Sequence, residues 1–519
     1  MNALLLVALL PGAGEAKPLP AKIAAQALAD RIDALIDKKL KGAKVPAAPQ
    51  ADDAELVRRL ALDLTGRIPD LLSARDFIDN PSKGKKAKLL AKLLADPRYS
   101  LHWANVWRNW LIADAADLQL QAYMPGMEMW LREEMAADTS YDRLVRKLLT
   151  HDPTRGGGAG GRSPMAFWQA NQNKPENMAS AATRIFLGVK LECAQCHNHP
   201  FAKWKKQQFW EMAAFFAGYG APTYDPVKMV MVPPGGKGEI EIPGTGKKAK
   251  PRFIDGTTPK EGSDWRETLA DWMTAKENPW LGRAVANRVW ESLMGTGLVE
   301  PLDEESVENP ASHPEVLDEL AQQFVANGFS LKYLIESIAL TKAYGRTSKQ
   351  THPGQADGKL FARARVRGMM PEQLYDSLAL ATGNDDESET TTAMPGFRPF
   401  DPSSPRADFL RRFPNHDKRS EQQTSILQAL YLMNGSLVDG ATSLEKNKNL
   451  KVIAEATSVP TPRRIRQLFH ITLGRYPSPA ESARMVKYVE GGGPTKDSAR
   501  ALCDVFWALL NSSEFCTNH

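Results

Sequence analysis

Apolar positions recur at intervals of three and four along most of the chain. Leu56, Val57, Leu60 and Leu64 mark one face of a helix over residues 51–64. That run meets Gly66 and then Pro69, a left-handed cap followed by a residue that cannot continue a helix. The same spacing predicts helices over 85–94, 103–112, 127–136, 141–149, 177–191 and 207–217. Further on it predicts helices over 265–274, 280–294, 314–327, 331–343, 371–382, 426–432, 462–472, 479–489 and 498–510. Ser312 and Glu315 have the spacing of a capping box at the start of the 314–327 helix. The period changes to two only over 229–253, where short alternating runs flank Pro-Pro-Gly-Gly and predict a small β-hairpin or ribbon. The expected fold is therefore mainly α: two helical domains, over 20–225 and 256–519, joined by a β-ribbon linker over 226–255.

The two ends of the chain echo each other. Arg58, Leu60 and Gly66-Arg67-Ile68-Pro69 are matched by Arg466, Leu468 and Gly474-Arg475-Tyr476-Pro477. Leu93-Leu94 followed by Tyr99 is matched by Leu509-Leu510 followed by Phe515. The pattern is that of a helical-hairpin unit used twice, by duplication or because both copies reach the same solution for capping an αα-hairpin. Gly156–Arg162 and Asn384–Gly396 are polar or glycine-rich and predict loops.

Composition changes this picture little. Of 519 residues, 42% are hydrophobic and 24% charged, which excludes a disordered chain or a fibrous rod. The 66 basic and 61 acidic residues leave a formal charge of +5, too small and too dispersed for a nucleic-acid footprint, so no nucleic-acid partner is expected. The first residues matter more. Ala3 to Leu10 form an apolar run followed by Pro11, Gly12 and small residues to Ala16. This reads as a signal peptide over 1–16, although its start lacks Lys and Arg. The run falls short of the about 20 residues that a membrane span needs, so an exported, periplasmic or cell-surface protein without a transmembrane segment is expected.

Only four cysteines are present, and two lie in Cys193-Ala194-Gln195-Cys196-His197. Thiols three residues apart on one turn can form thioethers to the two vinyl groups of haem, and the adjacent imidazole can take an axial position on iron, giving haem c. Phe186, Phe201, Trp204, Phe209, Trp210, Phe215 and Phe216 flank the motif and would suit either the walls of a macrocycle site or a packed core. A different use of the same ligands is zinc, on Cys193, Cys196, His197 and His199. A third is a Cys193–Cys196 disulfide. Cys503 and Cys516 suit either a C-terminal disulfide or two small buried side chains. Asp303-Glu304-Glu305 reads as a solvated loop rather than an acid–base pair, and Asn287-Arg288 as buried groups satisfying backbone or acids. No nucleophile–base constellation of an enzyme is recognisable, and the oligomeric state is not legible.

The residues also resemble a known pair of domains. Arg58-Arg59-Leu60 with Leu62-Asp63-Leu64-Thr65-Gly66-Arg67-Ile68-Pro69, then Arg184 to Val189 running into Cys193-Ala194-Gln195-Cys196-His197-Asn198-His199-Pro200-Phe201, are similar to the planctomycete cytochrome-like domain of unknown function. Arg266 to Trp272, Asn278-Pro279-Trp280, Asn287-Arg288-Val289-Trp290 and Gln428 to Asn434 are similar to its companion, the planctomycete secreted domain. The resemblance implies export, a haem-binding role resting on the same motif, and a redox or cell-surface protein partner, with no reaction attached. Many relatives have a further N-terminal haem module, and a Cys-rich patch where this chain reads Asn415 to Glu421 without Cys. These departures weigh against several haems in one chain.

Overall fold

The computed structural model describes residues 20–112, 118–151, 161–198, 204–218, 223–225, 230–232, 238–260, 264–306, 308–383, 405–413 and 440–519. The expected signal peptide, His199, Phe201, most of the expected Gly156–Arg162 loop, the expected Asn384–Gly396 loop and the expected 426–432 helix lie outside them. Among the described residues the protein is mainly helical, with a few two-stranded antiparallel pairs. Most predicted helices are present within a few residues of their expected ends, including Asp53–Thr65, Tyr141–Thr150, Trp265–Thr274 and Ser498–Leu510. Where the chain predicts one hairpin, two strand pairs form. Thr223–Asp225 pairs with Val230–Val232, and Ile240–Ile242 pairs with Lys247–Ala249. Gly244 and Gly246 adopt φ of 74° and 64°, conformations open to glycine, and so reverse the chain directly after Ile242. The predicted capping box is also replaced: His313 is the N-cap of Pro314–Ala326 and makes no side-chain cap bond.

The chain forms two compact units, and each draws on both halves of the sequence. One comprises residues up to Lys38, Val106–Ser292 and Thr296–Ile338; the other comprises Lys39–Asn105, Leu293–Gly295 and Ala339–His519. In the first, Trp107 packs against Trp110 and Tyr141 at ring separations of 4.6 and 4.8 Å, and Tyr141 against Phe324.

The second unit contains both copies of the repeated pattern. Gly66 ends the Asp53–Thr65 helix at φ 73°, ψ 12°, and Gly474 ends Thr461–Leu473 at φ 72°, ψ 15°. The next helices start alike, with Asp70 accepting from Ser73 N and Ser478 accepting from Glu481 N. Leu90, Leu93 and Leu94 are buried in one copy, and Phe506, Leu509 and Leu510 in the other; Tyr99 and Phe515 are the buried aromatic anchors. Leu62 and Ile68 share a core with Leu468, Phe469, Leu509, Leu510 and Phe515, so each copy buries apolar surface against the other.

A set of buried charges ties these copies together. Arg58, 1% exposed, donates to the carbonyls of Thr472, Glu514, Phe515 and Thr517 at 2.8–3.3 Å. Burial lowers its pKa to about 10, still well above neutrality. Arg59 donates to the carbonyls of Arg346 and His519 and pairs with Glu55 at 2.7 Å. Asp63 accepts from Arg367 Nη2, from the Tyr344 hydroxyl at 2.9 Å and from Asn518 Nδ2 at 2.7 Å. A desolvated guanidinium is tolerable only when acceptors replace water, and these acceptors come from the far end of the sequence.

Two predictions follow from this unit. Arg58→Met leaves four carbonyls without their donor and is expected to cost about 3–5 kcal/mol in guanidinium unfolding; a loss below about 1 kcal/mol would show the network to be dispensable. His470 is 3% exposed with neither ring nitrogen bonded, and its ring meets Tyr476 edge-on at 4.2 Å. Burial, with Arg466 and Arg75 nearby and Asp79 opposing them, lowers its pKa. The unfolded chain therefore binds a proton near pH 6.5 that the folded chain refuses, and stability falls as pH drops through that value. His470→Phe should flatten the fall in urea midpoint between about pH 7 and about pH 5, and parallel curves for wild type and variant would contradict the assignment.

Candidate cofactor-attachment site

The motif sits on a short turn clipped at both ends within the first unit. The Pro175–Leu187 helix does not run to 191 as its periodicity predicts. It stops at Gly188, φ 64°, whose N–H donates to Thr183 O. The Leu187-Gly188 pair carries that stop signal in the sequence. The chain then extends: Val189 bridges to Glu304, Lys190 N donates to Asp303 O at 3.0 Å, and Lys190 Nζ pairs with Glu304 at 2.7 Å. The hydrogen bond to Glu304 raises the Lys190 pKa, and the nearby Cys193 and Glu192 add to the effect.

Glu192–Ala194 follows as a 3₁₀ turn. With three residues per turn, side chains three apart share a face. Leu191 and Ala194 thus point inward, both fully buried, while Cys193 and Cys196 share the outer face and are exposed, as is His197. Trp210, on the Lys206–Ala213 helix, donates from Nε1 to Gln195 O at 3.1 Å, and Asn198 Oδ1 accepts from Lys206 N at 3.0 Å. His197 Nδ1 lies 2.8 Å from Asn198 O. A carbonyl only accepts, so Nδ1 is the donor, and in the neutral imidazole this leaves the lone pair on Nε2.

These features fit the attachment chemistry. Cys193 and Cys196 are free thiols on one face, and the adjacent imidazole offers the nitrogen that a metal takes. Most of the described flanking aromatics serve the core. Phe186, Phe209, Phe215 and Phe216 are fully buried; Phe215 stacks on Phe253 at 5.0 Å and Phe209 meets Trp210 at 5.4 Å. Beside the two feet of the turn, Leu187, Val189, Trp204 and Trp280 line a cleft of about 60 Å³, far below the about 300 Å³ from which enclosed ligand sites start. A haem on this turn would therefore be carried at the surface, with no enclosing wall among the described residues. Among the described residues no three His, Cys, Asp or Glu side chains converge as a metal site; His199, the fourth member of the zinc set, lies outside them.

Asp303-Glu304-Glu305 is not a solvated run. Asp303 pairs with Arg288, Glu304 with Lys190, and Glu305 with Arg283. Asn287 and Arg288 are buried and satisfy backbone, as their helical setting suggests. Asn287 Nδ2 donates to Val299 O and its Oδ1 accepts from Val299 N, both at 3.0 Å. Cys503 and Cys516 are free, half-buried against the core of the second unit. Burial pushes the Cys516 thiol up to about 11 and also raises Cys503.

Fold and site define a mainly helical protein that presents an exposed Cys-x-x-Cys-His turn. Two family profiles match it: PSCyt2, a protein of unknown function (DUF1549), over residues 31–220, and PSD1, a protein of unknown function (DUF1553), over residues 265–412. The chain thus carries a PSCyt2 domain followed by a PSD1 domain, both planctomycete families of unknown function. Neither a curated protein nor a solved structure matches it. The two profiles follow one another along the sequence, whereas each compact unit takes residues from both matched regions. No described helix is long and apolar enough to cross a membrane.

Exposure separates the four thiols. In folded apoprotein, without haem, Cys193 and Cys196 should be alkylated by iodoacetamide at neutral pH well before Cys503 and Cys516, which should react fully only after denaturation. Peptide mass spectrometry reads the order, and equal rates at all four would contradict the placement.

Proposed function

We propose that this protein is an exported carrier of one c-type haem that exchanges electrons with a protein partner. The observation behind this reading is the single turn that presents two free thiols and an exposed imidazole whose Nδ1 is engaged by Asn198 O. Cys193 and Cys196 would anchor the group through thioethers, and His197 Nε2 would ligate the iron. When bound, haem supplies a one-electron Fe(III)/Fe(II) couple. The inward face, Leu191 and Ala194, keeps the turn seated while the outer face stays open to a partner. Export through the 1–16 leader agrees with thioether attachment, which takes place outside the cytoplasm.

Co-expression with a haem-attachment system is the test. The expected product carries covalent haem absorbance after acid–acetone extraction, and Cys193→Ala/Cys196→Ala abolishes it. A colourless wild-type protein would sink the reading. Stoichiometric zinc, with unfolding on chelation, would replace it with a non-redox surface or scaffold protein whose Cys/His cluster is a structural knot. A recovered Cys193–Cys196 disulfide in place of haem would likewise favour the scaffold.

A further inference from the structure

We infer that Arg288, together with Asp303, is the positioning device of the Cys-x-x-Cys-His turn. The inference concerns how that turn is held, and its functional weight rests on the haem reading above.

Three links join Arg288 to the motif. The Arg288 side chain is 5% exposed and lies on the Leu281–Met294 helix. Its Nε donates to Ile185 O at 3.3 Å and its Nη2 to Arg184 O at 3.1 Å. Those carbonyls belong to the last turn of Pro175–Leu187, where no intrahelical N–H remains to satisfy them. A cation there also meets the negative end of the helix dipole. Nη2 pairs in addition with the Asp303 carboxylate. Asp303 in turn accepts Lys190 N on its backbone oxygen at 3.0 Å, three residues before Cys193. One guanidinium thus fixes where the helix ends and where the extended segment that enters the motif begins. Between these two points Gly188 turns at φ 64°, and a Cβ there would sit 3.4 Å from Ala284 Cβ, one turn before Arg288 on the same helix.

The outer pair behaves differently. Lys190 and Glu304 are each about two-fifths exposed, so their bridge is screened and weak. The buried Arg288–Asp303 pair, with its carbonyl partners, is the element that sets the geometry. Arg288 falls in the PSD1 match and the turn in the PSCyt2 match. The second domain family therefore contributes directly to the functional motif of the first.

The experiment compares Arg288→Met, Arg288→Lys and Asp303→Asn with wild type and with Glu305→Gln, whose partner is Arg283. The apoprotein is held well below its unfolding midpoint, so neither readout requires haem. Hydrogen exchange over residues 188–197 should accelerate about tenfold in Arg288→Met, with the Trp107–Tyr141 core unchanged. The ratio of Cys193 to Cys196 alkylation rates should shift in the same variant. Arg288→Lys keeps a donor and a charge and should restore part of both, while Glu305→Gln should match wild type. Asp303→Asn, a smaller change, should raise exchange at 188–197 to a lesser degree and keeps the test open if Arg288→Met does not fold. Wild-type exchange over 188–197 in the folded variants, or an increase spread evenly over the unit, would overturn the proposal. A colourless wild-type protein in the co-expression experiment would remove the haem reading and leave these apoprotein results standing.

Discussion

Burying a guanidinium is the constraint on which the second unit is organised. Arg58 and Arg59 lie side by side on one helix, 1% and 2% exposed, and together need more acceptors than their own segment can offer. Carbonyls at helix ends are the available acceptors, because the last turn of a helix leaves them unpaired. Thr472 stands at the end of one C-terminal helix, and Glu514, Phe515 and Thr517 lie in or beside the final helical turn. The start and the end of the chain must meet for either to be satisfied. Apolar burial between the two repeated hairpins supplies the bulk of the driving force, and the charges make the register specific, since a shift of one helical turn would strand them.

The first unit solves a second problem by the same means. Arg288 collects the orphan carbonyls of Arg184 and Ile185 and adds a carboxylate. Here the arginine ends a helix at a defined residue and launches a short extended segment in a defined direction. In both units a buried Arg joins segments remote in sequence through backbone carbonyls, which are insensitive to side-chain substitution at the accepting positions. The arginines themselves are then the positions with least freedom to change.

Local structure was legible in the sequence to the extent that it depends on local physics. Apolar spacing placed most helices, and Gly66 and Gly474 marked their stops because a left-handed cap needs little beyond glycine and a following proline. The repeated hairpin was visible for the same reason. The grouping into units was not, because it depends on partners such as Arg58 and Phe515 hundreds of residues apart, and an Arg-Arg pair in an amphipathic run reads as a polar face. The overrun of the 177–191 helix has a similar origin: Val189 and Leu191 keep the apolar period, yet Gly188 has already taken a positive φ. The acidic run 303–305 was read as solvated because no local cation answers it; its partners, Arg288, Lys190 and Arg283, come from other segments. The candidate motif was legible in Cys193, Cys196 and His197, whereas the bonds that seat it, Trp210 Nε1 to Gln195 O and Lys206 N to Asn198 Oδ1, depend on tertiary packing that no spacing announces.

The aromatic residues around the motif show why the turn can be both exposed and ordered. A surface loop bearing two thiols would ordinarily move, since its backbone hydrogen bonds compete with water. Here Ala194 and Leu191 are fully buried on the inner face, and the Trp210 indole reaches out of the core to hold Gln195 O. The Phe209, Phe215 and Phe216 rings are fully buried in the core, where Phe209 meets Trp210, Phe215 stacks on Phe253 and Phe216 meets Trp168. Packing them inward leaves the sulfurs and the imidazole at the surface and charges the Arg288–Asp303 bracket with fixing their direction. A site built in this way keeps its reactive groups in water and puts its precision into the backbone beneath them.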